Sequence, residues 1–159
     1  MLKFLGYIRI IGVFFAFFVG YYIGFSGNGY DAVAQIHFMV PVIILSVAGT
    51  SGIEGLFFGK EAAKTKGFKS DSNYQIQSAI AMLSYCFGAI IVLMCNWGVW
   101  AELTILFTTM FFFVLSGINH ARDALVNHNY KWENINRPFL IFSLILGLIY
   151  PVIVVLNIV

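Results

Sequence analysis

The sequence predicts an all-α, polytopic membrane helix bundle with five transmembrane helices, and three observations predict it. Of 159 residues, 60% are hydrophobic and only 10% charged, against roughly 25% charged residues in soluble domains; the mean hydropathy is +0.89. The apolar residues fall in long, nearly uncharged runs, each long enough for the ~20 residues that cross a bilayer core. The basic residues gather in alternate connections. The alternating pattern of a transmembrane β-barrel is not seen. A net charge of +2, spread over short flanks, carries no nucleic-acid signal. Residues 1–159 read as a single integral membrane domain whose main partner is the lipid bilayer.

Taken in order, the first span covers residues 7–25, after Lys3. Its length, and the lack of a following A-x-A-like cleavage site, favour a membrane helix over a signal peptide. Gly20-x-x-x-Gly24 offers close approach to a neighbour, and Tyr21, Tyr22 and Tyr30 suit an interfacial belt. Ser26–Gly29 is a turn-rich loop. Asp31 can cap the second span, 32–58, which carries Pro41 early and a mild kink. Continued to Lys66, this helix would run about 35 residues, ~52 Å, with Gly67 and Phe68 closing it; a break at Gly59 is the alternative. Ser72-Asn-Tyr-Gln75 fits a capping box ahead of the third span, 75–95. Cys86 and Cys95 lie about 13 Å apart on that helix, beyond disulfide reach, and read as buried small apolar residues. Asn96-Trp97-Gly98 is a tight turn with Trp97 and Trp100 at an interface. The fourth helix runs from Ala101 to about Val126, with its span at 101–121. His128–Arg137 reads as a polar loop, and Pro138 as a first-turn residue of the fifth span, 138–158, with a kink at Pro151.

All nine basic residues (Lys3, Arg9, Lys60, Lys64, Lys66, Lys69, Arg122, Lys131 and Arg137) fall at the N-terminus or around loops two–three and four–five. The positive-inside rule therefore expects a cytoplasmic N-terminus and an outside C-terminus, in a multi-pass protein of a prokaryotic inner membrane. An odd span count argues against a two-half repeat transporter.

The polar residues inside the spans are the candidates for chemistry, since a carboxylate facing lipid costs about 3 kcal/mol or more. Thr50, Glu54 and Glu61 share one side of the second helix, and Gly52, Gly55 and Gly59 lie nearly opposite, where a backbone can pack closely. On the fourth helix Thr109, Ser116, His120, Asp123 and Asn127 form a stripe, with Asn119 beside it; the third offers Gln77, Ser84 and Gly88. Expected topology brings Arg9, Glu54, Gln77, Asn119, His120 and Asp123 to a similar height near the cytoplasmic face, with Glu61 beyond. A water-accessible Glu54–His120 site would bind or conduct a proton, ion or small solute. Alternatively, Glu54 pairs with Arg9 or His120 to hold together a structural or assembly subunit of a larger membrane complex or homo-oligomer. A membrane-embedded metal enzyme ranks third: the paired Glu-x-x-His segments of di-iron bundles are missing, so no metal or cofactor is assigned. His37 lies near the opposite face from His120, which rules out the two as joint haem ligands. Glu61 reads as solvated beside Lys64, the lysine cluster as a topology signal meeting anionic headgroups, and Phe111–Phe113 as lipid-facing or core packing.

Glu61-Ala-x-x-x-x-Gly67-Phe68, Ser72-x-Tyr74-Gln75 and Gly117-x-x-His120 together resemble an uncharacterised family, a domain of unknown function, of small prokaryotic multi-spanning membrane proteins. The resemblance covers roughly residues 54–123. The family pattern often has a second acidic residue where Lys60 stands and tryptophan where Phe68 stands. It implies no activity, but draws attention to Glu61 and His120.

Overall fold

A computed structural model describes residues 1–67 and 72–158. Its elements are α1 (Leu2–Phe25), α2 (Ala32–Ile44), a π-helical turn (Leu45–Gly49), α3 (Thr50–Lys66), α4 (Ser72–Met94), α5 (Val99–Val126) and α6 (Trp132–Ile158). Among the described residues, five helical stretches are long and apolar enough to cross a membrane: Leu2–Phe25, Ala32–Lys66, Gln75–Met94, Val99–Val126 and Trp132–Asn157. Phe68, Lys69 and the side chains of Ser72 and Tyr74 lie outside the described residues.

The second stretch is the axis of the bundle. Half of its apolar window is buried, against 11% for α1, and its α2 half packs against α1, α4, α5 and α6. Ile36, Met39, Val40, Ile43, Ile44 and Ala48 supply the middle of the core. Phe14, Phe18, Phe111 and Phe142 remain on the outside, as expected of helices apolar all round. Between membrane helices the packing of small residues, not water exclusion, sets the approach. A Cβ on Gly20 would lie 2.2 Å from Met39 Cγ, and one on Gly55 would lie 2.8 Å from Ala79 Cβ. Both glycine faces expected from the sequence therefore meet a neighbouring helix.

This axis is bent twice. The Asp31 carboxylate accepts from the Ala34 N–H at 2.9 Å and opens α2. Pro41 lacks an N–H, and the π-helical turn begins four residues later, as helices widen where their bonding ladder is interrupted. The Thr50 hydroxyl donates to the Ser46 carbonyl at 2.6 Å across that turn. The second bend is at Phe58, whose φ of −127° and ψ of 21° are not helical. The helix then resumes to Lys66 and ends on Gly67 in the left-handed region, φ 76°, where a glycine carries no Cβ penalty. The two sequence alternatives are thus both partly realised: a continuous stretch to Lys66, bent one residue before Gly59.

Two expectations are corrected. Residues 132–137 are helix, not loop: the Lys131 carbonyl accepts from the N–H groups of Asn134 (2.9 Å) and Ile135 (3.2 Å), and Glu133 sits in the first turn, where a carboxylate suits the positive helix end. Asn134 is fully buried, so the polar composition there marks a packed helix end. Pro138 consequently lies in the second turn of α6. Cys95 is exposed, and only Cys86 is buried.

Candidate functional site

The antiparallel crossing that sets Gly12 of α1 against Ser46 also sets Arg9, one turn earlier, beside Thr50, one turn later. Arg9 Nε donates to Thr50 Oγ1 at 3.0 Å and Arg9 Nη2 to Glu54 Oε2 at 2.9 Å. Thr50 and Glu54 are four residues apart and so share a helix face. The other Glu54 oxygen, Oε1, accepts from Lys66 Nζ at 2.5 Å. In a straight helix residues twelve apart are separated by ~18 Å along the axis, further than a lysine and a glutamate can jointly reach. The bend at Phe58 is what closes that gap.

Two cavities meet at this ion pair. One, of about 370 Å³, lies among α3, α4, α5 and α6 and is lined by Glu54, Gln75, Ser116, Asn119, His120 and Arg137 among others. The second, of about 410 Å³, lies among α1, α3 and α6, with Lys3, Arg9, Glu133 and Asn136 on its walls. Glu54, Ala62, Lys66 and Arg137 border both, and so form the partition between them. Arg137 makes no hydrogen bond or ion pair with any described residue.

Behind the partition an amide network fixes the end of α3. Asn129 and Asn134 both donate to the Lys66 carbonyl, at 2.9 and 3.1 Å. Asn134 also donates to the Asn129 carbonyl at 3.2 Å, which leaves its side-chain oxygen as acceptor. His120 Nδ1, 2.7 Å from that oxygen, must therefore carry a proton. His120 thus connects to Lys66 through Asn134. Glu54 and His120 border one cavity, with Arg9 and Lys66 as the ionic partners of Glu54 and Asn134 on His120 Nδ1.

The remaining sequence candidates are dispersed. Asn119 borders the first cavity. Asp123 is turned aside, accepting from Asn127 at 2.7 Å and Asn129 at 2.6 Å. Glu61 is exposed on a shallower hollow. Gln77 is exposed and Gln75, two residues earlier, lines the first cavity and the shallower hollow in its place. Lys66, Arg137 and Asn134 were missed by sequence reasoning. Arg137 and Asn134 were hidden in what reads as a loop. Lys66 was visible only as a charge on a helix end. Among the described residues no group of three or more His, Cys, Asp or Glu side chains could hold a metal. A separate pair joins His37 Nδ1 to Glu102 Oε1; the other Glu102 oxygen is buried and without a hydrogen-bond partner among the described residues.

No curated protein and no solved structure matches the chain. A family model does match, over residues 10–158, which takes in every residue of the partition and begins one residue after Arg9. The chain belongs to that family, the family of unknown function DUF6790.

Proposed function

We propose that the chain is an integral membrane protein of a prokaryotic inner membrane that binds, and passes between its two cavities, an ion or small polar solute. The observation that carries this reading is the partition itself: Glu54, Lys66 and Arg137 stand between two cavities of about 370 and 410 Å³ in a predominantly apolar helix set. Burying such charges costs several kcal/mol per ion unless they are compensated, and intramembrane ionisable groups concentrate on solute and proton pathways. The basic loops support a cytoplasmic position for this end of the bundle and an outside C-terminus. A closed Glu54–Lys66 bridge then separates the cavities, and exchange of Lys66 from Glu54 to a solute connects them.

A second reading is favoured by the full occupancy of Glu54. Each of its oxygens accepts from a different cation, which would equally suit a clamp holding α1 to the bent α3 in a structural subunit. Reconstitution separates the two. In liposomes loaded with a pH dye or a solute tracer, the solute reading expects flux or binding that Glu54→Gln abolishes while the variant stays monodisperse. The clamp reading expects no flux in the parent and loss of fold in the variant.

A further inference from the structure

We infer that the solute is a small oxyanion, a carboxylate or phosphate group, received by Arg137 with Lys66 at the partition; this rests on the reading of the cavities as a solute site. Among the described residues, four cations (Lys3, Arg9, Lys66 and Arg137) and two carboxylates (Glu54 and Glu133) line the two cavities. Glu54 is committed to Arg9 and Lys66, one oxygen to each. Glu133 borders only the second cavity and forms no ion pair with a described residue. Arg137 faces both cavities with no hydrogen bond or ion pair to any described residue; Glu54 and Glu133 attract it through space, while Arg9 repels it, and its donors remain open to a ligand. A guanidinium presents a rigid fork of donors that matches the paired oxygens of a carboxylate or phosphate. Bound there, an oxyanion offsets the excess of positive charge that the described residues bring to the two cavities.

A cation in the first cavity would meet Lys66 and Arg137, while Glu54, the carboxylate on its described wall, is already shared between Arg9 and Lys66, and like charges so placed disfavour binding. A neutral solute would leave the excess of positive charge among the described lining residues in place. Gln75, Ser116 and Asn119 on the first cavity's wall can hydrogen-bond the remainder of such a ligand. A volume of about 370 Å³ is at the small end of ligand pockets, which fits an anion of few heavy atoms or a single headgroup.

The test is thermal melting of the purified full chain in a neutral detergent. Sodium phosphate and sodium acetate are titrated against sodium chloride at equal ionic strength, with ammonium chloride and glycerol as cationic and neutral probes. Nanodiscs of phosphatidylcholine with and without phosphatidic acid test a lipid headgroup as the source. The expected result is a rise of about 5 °C near saturation with an oxyanion or with phosphatidic acid. Arg137→Gln should weaken the apparent affinity at least tenfold, and Arg137→Lys should retain part of it. Asn119→Asp changes only the charge of an exposed cavity residue and keeps the test decisive if Arg137→Gln does not fold; it should also weaken binding. No shift with any oxyanion or phosphatidic acid overturns the inference, as does an equal shift in parent and Asn119→Asp. A shift with ammonium or glycerol but none with oxyanions overturns the anion while leaving a solute site. Silence to every probe counts against both.

Discussion

Replacing Lys66 by Met should show whether the bend at Phe58 is held by the bridge to Glu54. Twelve residues of straight helix put the two Cα atoms ~18 Å apart. The two extended side chains together span roughly 10 Å at ordinary bond lengths. Their 2.5 Å contact therefore exists only in the bent helix, and conversely favours it. At ~3 Å and an effective dielectric of about 20 the pair is worth ~5 kcal/mol before desolvation. Bordering cavities on both sides, it keeps a fraction of that, about 1–3 kcal/mol. Lys66→Met leaves Glu54 with Arg9, so the expected loss is about 2 kcal/mol, or ~4–8 °C for a chain of this length. Hydrogen exchange of the Ala62–Lys66 amides should quicken at the same time, because the segment beyond the bend loses its tether. The decisive form is a double-mutant cycle. Glu54→Gln alone leaves Arg9 and Lys66 without their shared counter-charge and should cost more than Lys66→Met. The double variant should cost less than the sum by at least 1 kcal/mol. Additivity to within ~0.5 kcal/mol, with unchanged exchange at residues 62–66, would refute the bridge as the cause of the bend.

Three further outcomes are expected. Gly55→Ala, whose Cβ would meet Ala79 Cβ at 2.8 Å, should destabilise by about 1–3 kcal/mol, whereas Gly27→Ala, facing open space to 3.7 Å, should stay within ~0.5 kcal/mol; equal melting temperatures would remove the close-packing argument. Asn134→Ala removes two donors and the acceptor of His120 Nδ1 and should cost about 2–3 kcal/mol, with faster amide exchange at the end of α3; exchange confined to α6 would contradict the network. A reporter fused after Val159 should read as outside and one inserted after Lys66 as cytoplasmic, and a cytoplasmic C-terminus would sink the proposed orientation.

How much of this was legible depends on which physical signal each residue carries. The helices were legible because runs that must cross hydrocarbon are written directly in composition. Glu54 was legible because a carboxylate inside such a run is conspicuous, and Arg9 because it is a cation in the first turns of an apolar span. Lys66 was not, since sequence spacing assumes a straight helix and the bend at Phe58 has no proline to announce it. Gln75 and Gln77 differ only in helix phase, and phase drifts with small errors in where a helix begins. The segment from Trp132 to Arg137 reads as loop because polar composition looks alike in a solvated turn and in a helix end packed against amides. Asn134, fully buried there, shows the difference, and so Arg137 passed as a loop charge.

The central claim is that the partition at Glu54, Lys66 and Arg137 faces a water-accessible, electropositive space inside the bundle. The most direct measurement is the reactivity of Ser116→Cys, on the wall of the first cavity, towards charged methanethiosulfonates in membranes. It is made on a Cys95→Ser background, because Cys95 is exposed and Cys86 buried. Phe111→Cys, on the outer face of the same helix, serves as the lipid-facing control. Ser116→Cys should react while Phe111→Cys does not, and a sulfonate reagent should be favoured over a trimethylammonium one relative to an exposed cysteine such as Cys95 in the parent. Equal inertness of both positions, or a preference for the cationic reagent at Ser116→Cys, would contradict that claim.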